Sequence, residues 1–243
     1  MLITSLSNNK IKELVKLKQT KYRRLSKSFL IEEDHLISEA HKAGIIKEII
    51  LLDKCVCGYL DYPIITVSAE VMKKLSFNIS LNKMMAVCNF LEFDNEFIGN
   101  IVALDRVQDP SNVGGILRSC LALGYNNILL SDDCVDLYNE KLIKASQGAI
   151  FHLRVLHCNL KEKLLELKNE GYQLLTTNLN SNNSITDLQV RNKFILVVGN
   201  EGSGVSNDII NLSDNDFKIE LVNQFDSLNV LAATSICLYV LKN

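Results

Sequence analysis

Apolar and polar residues follow one another in blocks through the second part of the chain. Apolar runs such as 195–198 are continuous, which is typical of strands buried on both faces, and amphipathic segments separate them. Regular alternation of strand and helix predicts an α/β domain, a mostly parallel sheet covered by helices on both faces. The predicted strands are 101–104, 127–130, 151–155, 173–177, 194–198 and 217–221. The predicted helices are 113–123, 140–145, 160–170, a short helix near Asn207, and 228–241.

The first part of the chain carries the same alternation on a smaller scale. Serine and asparagine residues precede two amphipathic segments, where they can cap helices, and Gly44 follows a third, where it can end one. The predicted helices are 10–20, capped from Ser7, Asn8 or Asn9, then 35–43, and 69–75, capped by Ser68. The predicted strands are 29–32, 45–52, 64–67 and 84–90. Because the polar stretch 92–100 is typical of a linker, we expect two domains, residues 1–93 and 99–243.

The composition is that of an ordinary globular protein. The chain has 243 residues, of which 47% are hydrophobic and 22% charged. No stretch approaches the ~20 apolar residues of a membrane helix, and the N-terminus lacks the charged and apolar regions of a signal peptide. We therefore expect a cytoplasmic protein with no membrane partner.

Cysteine and histidine residues give no sign of disulfide or metal chemistry. The seven cysteines are scattered, and the pair Cys55-x-Cys57 has neither a zinc nor a redox spacing. The four histidines form no ligand pair of the HExxH kind. We expect reduced thiols in apolar surroundings and no bound metal.

A strongly basic segment near the N-terminus is hidden by the overall net charge of −2. Residues 10–27 hold eight lysines and arginines against the single acid Glu13. Such a segment suits a polyanion, because lysine and arginine gain affinity by releasing the counterions of phosphates. The alternative is a solvated helix face, and the charge alone does not decide between the two.

A glycine-rich loop, Gly199-Asn-Glu-Gly-Ser-Gly204, follows the apolar run 195–198. It lacks the Gly-Lys-Ser/Thr of a P-loop and the spacing of the dinucleotide fingerprint. Glu201 inside the loop would repel a pyrophosphate by roughly a few kcal/mol. A ligand without phosphate, such as the sulfonium cation S-adenosylmethionine, avoids this repulsion. The alternative is a tight structural turn.

Two further junctions between an apolar run and polar residues resemble this one. After 101–104, Asp109-Pro110-Ser111-Asn112 predicts a turn that opens a helix, and Arg118 lies one turn further on. Before the last helix, Ser227 can act as N-cap and Asn229 lies in the first turn. Ligand sites of parallel sheets lie beyond the carboxyl ends of strands, so we expect the three junctions to share one site.

These residues resemble the motifs of the SpoU (TrmH) branch of the SPOUT superfamily, RNA ribose 2′-O-methyltransferases that use S-adenosylmethionine. The first motif is similar to 109–118, the second to 198–204 and the third to 227–230, while 144–153 resembles a further recurring stretch. The N-terminal pattern in 3–12 and 29–32 resembles the substrate-binding domain that often precedes the catalytic one. The resemblance therefore covers nearly the whole chain.

The resemblance implies a parallel-sheet SPOUT domain with a deep trefoil knot, preceded by a small α/β RNA-binding domain, and a homodimer with active sites near the subunit interface. It places cofactor contacts on backbone groups of Gly199, Ile219 and Leu228. The catalytic and substrate-facing residues it implies are Asn112, Arg118, Glu201, Ser227 and Asn229. With this resemblance the basic segment is interpreted as an RNA contact made by Lys12, Lys16, Lys18 and Arg23.

Several positions depart from the family pattern. Leu221 and Lys144 replace a common methionine and a usual arginine, and Leu231 takes the place of a serine. Glu220 replaces proline, and Asn223 replaces glycine. These changes leave open how the predicted knot loop fits the cofactor.

The expected function is transfer of a methyl group from S-adenosylmethionine to a ribose 2′-hydroxyl of RNA, with ribosomal RNA favoured over transfer RNA. Arg118 would stabilise negative charge on the attacking oxygen, because a guanidinium does not deprotonate in proteins. The alternatives are an RNA-binding protein without catalysis and a base-methylating enzyme of the same superfamily. A nucleotide-dependent oxidoreductase is disfavoured, since the first strand is followed by no Gly-x-Gly-x-x-Gly turn.

Overall fold

The computed structural model of the protein describes residues 2–93, 96–222 and 227–242. Its strands are β1 (Leu2–Ile3), β2 (Ser28–Glu32), β3 (Ile46–Leu52), β4 (Ile64–Val67), β5 (Met84–Asn89), β6 (Ile101–Asp105), β7 (Asn127–Ser131), β8 (Arg154–Cys158), β9 (Gln173–Thr177), β10 (Phe194–Gly199) and β11 (Asn215–Phe217). Its helices are α1 (Asn9–Lys16), α2 (Thr20–Ser26), α3 (Asp34–Lys42), α4 (Ala69–Leu75), α5 (Pro110–Leu123), α6 (Glu140–Ser146), α7 (Leu160–Asn169), α8 (Asn207–Ile210) and α9 (Val230–Val240).

The chain forms two compact units, and one of them is discontinuous in sequence. The first unit comprises Met1–Phe93 and Asp136–Phe151, and the second comprises Asp94–Val135 and His152–Asn243. Helix α6 therefore packs with the first unit, although the strands on either side of it in the chain belong to the second. The predicted domain limits do not anticipate this excursion, because helical periodicity does not say which core a helix packs into.

The first unit is a five-stranded sheet in the order β1-β4-β3-β5-β2. Strands β1, β4 and β3 are parallel to one another, whereas β5 runs antiparallel to both β3 and β2. Apolar side chains of α1 and α4, among them Ile11, Leu14 and Met72, pack against strand residues in one buried cluster. The predicted small α/β unit is confirmed, and so are its caps: the side chains of Asn8 and Ser68 accept backbone bonds at the starts of α1 and α4.

The basic segment forms two helices rather than the single helix predicted over 10–20. Helix α1 ends at Lys16, and Arg23 of α2 donates from Nη1 to the carbonyls of Leu17 (3.1 Å) and Lys18 (3.0 Å) at its end. The Arg23 side chain is only 4% exposed, and it is paired with Asp136 through Nε (3.0 Å) and Nη2. The guanidinium of Arg23 therefore holds two segments of the first unit together. This burial disfavours the RNA contact expected of Arg23, which stays a prediction.

The second unit is a six-stranded sheet in the order β11-β9-β10-β6-β7-β8, with every neighbouring pair parallel. The central strands are buried along their whole length, as their continuous apolar runs predict. Leu164 and Leu167 of α7 share a buried cluster with Ile195 and Val197 of β10. The expected α/β class with a parallel sheet is confirmed.

Three boundaries differ from the prediction for local reasons. Ala149–His152 forms a 3-10 turn, so β8 begins at Arg154. Strand β11 ends at Phe217, and the residues that follow leave the sheet. Helix α9 begins at Val230 because Asn229, and not Ser227, is its N-cap: the Asn229 Oδ1 accepts from the backbone N–H of Leu231 at 2.9 Å.

All seven cysteines are free thiols. Burial raises the pKa of Cys88, Cys120, Cys134 and Cys237 above that of an ordinary thiol, so these side chains remain neutral at physiological pH. Within the described residues, no helix has the combined length and apolar character that crossing a bilayer requires.

Candidate active site

The site lies at the carboxyl edge of the parallel sheet of the second unit. Strands β6 and β10 are neighbours, and their last residues, Asp105 and Gly199, stand directly opposite each other. The loops that follow the two strands therefore start side by side. The crevice outside the carboxyl ends is the usual ligand position of such sheets.

The glycine-rich loop after β10 is a tight hairpin. Asn200 and Gly204 exchange two backbone hydrogen bonds of 3.1 and 2.9 Å, and the Asn200 Oδ1 accepts from the N–H groups of Gly202 and Ser203. A Cβ on Gly199 would lie 2.0 Å from the carbonyl carbon of Gly204. Gly204 itself has a φ of +66°. Only glycine at position 199 allows the loop to fold back this closely.

A chain of side-chain hydrogen bonds joins the three junctions that the sequence singles out. The Asn229 Nδ2 donates to Asn112 Oδ1 at 3.1 Å, and the Asn112 Nδ2 donates to Glu201 Oε1 at 3.0 Å. The backbone N–H of Asp109 also points at Glu201 Oε1, at 3.4 Å. Since a carboxylate only accepts, the amide of Asn112 can take one orientation in this chain. Asn112, Glu201 and Asn229 are thus brought together as expected.

A cavity of about 390 Å³ opens beside Glu201. The residues lining it include Gly199 and Glu201 as well as Ile219, Ser227 and Leu228, so the remaining predicted positions meet here, with the exception of Arg118. Apolar walls come from side chains that include Leu179, Val198, Val205 and Leu221. Of the described residues that line the cavity, Lys218 and Glu201 are the charged ones.

These features fit an adenosine carrying a sulfonium. The volume falls in the ~300–1,000 Å³ range of small-molecule sites, and the walls are mostly apolar with polar backbone groups at the glycine loop. Gly199 lines this cavity at the point where the loop folds back on it, and the backbone of Gly204 and Val205 occupies the space that a side chain at position 199 would need. Across the described parts of the chain, no cluster of three or more metal-ligating side chains occurs.

Arg118 stands apart from both the hydrogen-bond chain and the cavity lining. It follows Asn112 by six residues on α5, which places it about 240° around the helix and about 9 Å along it. Its side chain is exposed, and it has no hydrogen bond or ion pair with the residues that the structure describes. The convergence of Arg118 with Glu201 that the sequence suggests is not found within one copy of the chain.

Helices α5 and α9 pack against each other, and their outer face is exposed. The Oγ atoms of Ser119 and Ser235 are 2.9 Å apart, and Leu231 packs where a Cβ on Gly115 would lie. Beside Arg118, the exposed residues of this outer face are Ala122 of α5 and Ala232, Ile236, Tyr239 and Val240 of α9.

The basic residues of the first unit differ in availability. Lys12 and Lys16 are exposed on α1, four residues apart and so on the same side of the helix. Lys18 instead donates to the carbonyl of Ser76 at 2.7 Å, and partial burial lowers its pKa. Lys10 pairs with Glu48 at 2.6 Å. Lys12 and Lys16 are therefore the predicted contacts best placed to reach a phosphate.

Comparison with known proteins places this site in a family. The sequence model of the SpoU rRNA methylase family matches residues 99–239, and the model of the MRM3-like substrate-binding domain matches residues 8–86. The chain belongs to the SpoU rRNA methylase family. The resemblance stated from the motifs is confirmed.

Relatives of this SpoU family member match along its whole length. A Bacillus subtilis (strain 168) protein named 23S rRNA (guanosine(2553)-2′-O)-methyltransferase RlmP is 33% identical over 99% of this chain and 98% of its own. A crystal structure of an RNA 2′-O ribose methyltransferase matches with a TM-score of 0.82 at 28% identity, covering 99% of this chain and 97% of that one. An AdoMet-bound rRNA methyltransferase from Sinorhizobium meliloti shares the fold, with a TM-score of 0.88 at 22% identity over 99% and 96% of the two chains.

The departures from the SpoU pattern fall at distinct places. Leu221 lines the cavity, whereas Glu220 is exposed. Leu231 fills the space above Gly115 between α5 and α9. Lys144 pairs with Glu33 at 2.8 Å in the first unit. Asn223 lies outside the described residues.

Three residues that sequence reasoning missed support the site. Arg106 and Asn200 hold the glycine loop through side-chain bonds to its backbone, and Asp105 bonds to the backbone N–H of Ser206 just after the loop. Asn200 carries a recognisable signal, since asparagine commonly bonds to the backbone two residues ahead in turns. No pattern around Asp105 and Arg106 marks them, because their partners are about a hundred residues away in the sequence.

Proposed function

We propose that this protein transfers a methyl group from S-adenosylmethionine to a ribose 2′-hydroxyl of ribosomal RNA. The observation that carries the proposal is the hydrogen-bond chain from Asn229 through Asn112 to Glu201, which lines a cavity together with the rest of the Gly199 loop. The name of the Bacillus subtilis relative supports both the sugar position and the type of RNA. Such a site can accelerate the reaction by holding the methyl donor and the ribose hydroxyl in the orientation for attack, which can lower the activation barrier by ~7–11 kcal/mol.

The cofactor is proposed to lie in the cavity against backbone groups of Gly199, Ile219 and Leu228. S-adenosylmethionine supplies the methyl group on a sulfonium centre. Glu201 carries the negative charge of the lining and is the group best suited to face a cation. Leu179 and Leu221 provide apolar contact for the adenosine.

The remaining site residues are proposed to act on the ribose. Glu201 holds Asn112, and Asn112 in turn holds Asn229, so their free polar groups are fixed before substrate arrives. Ser227 lines the cavity with an exposed side chain and can add a hydroxyl contact. Arg118 is proposed to stabilise the negative charge that develops on the attacking oxygen.

A homodimer is proposed to bring Arg118 to this site. Tyr239 is 73% exposed and Ile236 39%, and both belong to the outer face that also holds Arg118. Exposed apolar side chains grouped on one face indicate a partner surface. A second copy that covers this face would receive the guanidinium of the first, which supports active sites near the subunit interface.

The trefoil knot is also a proposal. Backbone bonds attach the segment 178–185 to the last residue of β11 and to the residue after it: Asn178 donates to the carbonyl of Phe217 at 2.8 Å, and Lys218 donates to that of Asn183 at 3.0 Å. A loop bound to a later segment in this way is compatible with a threaded chain. A crystal structure that traces residues 217–230 through this loop would establish the knot.

The N-terminal domain predicted from the sequence, residues 1–93, is proposed to bind RNA, and the C-terminal domain, residues 99–243, is proposed to catalyse the transfer. Exposed Lys12 and Lys16 support the first role. The match of residues 8–86 to a substrate-binding domain supports it independently. The cytoplasmic location expected from the sequence stays a proposal and is compatible with a ribosomal RNA substrate.

The test is a map of ribose 2′-O-methylation across all cellular RNA, with and without the gene. We expect one ribosomal position to lose its methyl group, with the nucleotide equivalent to guanosine 2553 of 23S RNA as the first candidate. Re-expression of the wild type should restore the methyl group and re-expression of Glu201→Ala should not. Restoration by Glu201→Ala would favour the binding-only alternative, and a lost methyl group that nuclease digestion assigns to a base would favour the base-methylating one.

A further inference from the structure

Arg106 follows β6 directly and precedes the first motif, so neither pattern nor resemblance gives it a role. Its backbone has a φ of +58°, a left-handed conformation that residues other than glycine rarely adopt. Its backbone N–H donates to the Ser131 Oγ at 2.9 Å. The main chain of Arg106 is thus fixed at the edge of the sheet.

The guanidinium and the backbone carbonyl of Arg106 contact opposite ends of the glycine-rich loop. Its Nη2 donates to the carbonyl of Gly204 at 3.2 Å, and its own carbonyl accepts from the Asn200 Nδ2 at 2.9 Å. The Glu201 carboxylate lies between these attachment points in the chain. Each contact crosses more than ninety residues of sequence, so together they tie the loop to the end of β6.

Asp105 fixes the guanidinium in turn. The Asp105 side chain is buried, and it accepts from the Arg106 Nε at 3.2 Å and from Nη2 at 3.3 Å. Its Oδ2 also accepts from the backbone N–H of Ser206, just beyond the loop, at 2.7 Å. The planar fork of an arginine places Nε and Nη2 on the carboxylate in a fixed geometry while Nη2 also donates to the Gly204 carbonyl. The ammonium of a lysine carries its three donors on one atom and lacks this fork.

We propose that Arg106 is a positioning residue that holds the 200–204 loop so that Glu201 faces Asn112. The proposal rests on the proposed function, since it assigns Arg106 a part in the same reaction. Arg106 does not line the cavity and is not expected to touch the cofactor. Because the loop that it holds does line the cavity, loss of Arg106 should weaken cofactor binding slightly. It should reduce catalysis more, because catalysis also requires Glu201 to hold Asn112.

The experiment compares the full-length wild type with Arg106→Ala and Arg106→Lys. Amide hydrogen exchange of residues 200–206 reports the loop, calorimetry gives the Kd of S-adenosylmethionine, and transfer to ribosomal RNA gives kcat. For Arg106→Ala we expect several-fold faster exchange confined to the loop, a kcat lowered by roughly 10- to 100-fold, and a Kd changed by less than about threefold. Arg106→Lys should give values between those of the wild type and Arg106→Ala. Arg191 is exposed, and Arg191→Ala is the matched control, which should change none of the three quantities.

A second arm separates positioning from a general structural role. In a Glu201→Ala background, Arg106→Ala should lower the residual kcat little further, because the residue acts through Glu201. Unchanged exchange, faster exchange with unchanged kcat, an equal loss of cofactor affinity, or full additivity with Glu201→Ala would each overturn the proposal. If the wild type methylates no RNA, the proposed function fails, whereas unchanged loop exchange in Arg106→Ala refutes the contact between Arg106 and the loop independently.

Discussion

Burial separates the arginines of this chain into different roles. Arg23 lies in a basic segment, yet its guanidinium is buried against Asp136 and two helix-terminal carbonyls. Arg118 lies in an ordinary amphipathic helix, yet it is exposed and has no bond to the described residues. The charge density along the sequence favours Arg23 as an RNA contact. The three-dimensional surroundings instead favour Arg118, whose guanidinium is free to reach a substrate.

Replacing Arg118 by alanine should remove almost all transfer activity and leave the fold of the protein intact. We expect kcat to fall by roughly 10²–10³, the cost of removing one group that stabilises developing charge. Cofactor affinity should stay within about twofold, and stability within ~0.5 kcal/mol, because an exposed side chain is removed. Methyl-transfer kinetics, calorimetry with S-adenosylmethionine and urea unfolding measure the three quantities.

The control for this variant is Arg191→Ala, which removes another exposed arginine of the second unit. A loss of cofactor affinity in step with kcat would contradict a role on the substrate oxygen. It would instead place Arg118 in the cofactor site.

For the helices, capping residues in the sequence predict the ends that are fixed by contacts within a few residues. Asn8, Ser68 and Gly44 mark helix ends because their own geometry satisfies nearby backbone groups. The break between α1 and α2 was not predictable in this way, since the carbonyls that end α1 are satisfied by Arg23, itself held by the distant Asp136. Similarly, Asn229 was visible as a motif residue, but its contact with Asn112 spans 117 positions.

Helix α1 provides the prediction at this scale. Changing Lys12 and Lys16 together to glutamine should weaken binding to ribosomal RNA and reduce the magnitude of its salt slope by about 1.5, because two phosphate contacts are lost. Affinity measured at several salt concentrations gives the slope, and the Kd of S-adenosylmethionine should not change.

Lys42 and Lys47 serve as the matched pair, since both are exposed on other elements of the same unit. Their double glutamine variant should keep the wild-type slope. Equal losses in the two variants would mean that RNA responds to the total charge of the unit, and the solvated-face interpretation of α1 would then be correct.

For the whole molecule, the order of strands and the division into units could not be read from periodicity. Neighbours such as β9 and β11 are joined by long stretches of chain, and local patterns do not encode such pairings. The family resemblance identified the class of the catalytic domain, but it gave neither the strand order nor the discontinuous first unit. It also implies a dimer, which stays a proposal, and the exposed apolar side chains of Ile236 and Tyr239 on α9 are candidates for its interface.

A dimer in which each Arg118 serves the partner's site can be tested by mixing two inactive variants. In a mixed dimer of Arg118→Ala with Glu201→Ala, one of the two sites combines an intact Glu201 with an intact Arg118 from the other copy. Random pairing makes half of the dimers mixed, so co-expression should restore about a quarter of the wild-type rate. Copies with two different tags, purified in sequence, isolate the mixed dimer and should show about half. Activity no higher than that of either parent would mean that Arg118 acts within its own copy, since no site in that mixture would then hold both residues.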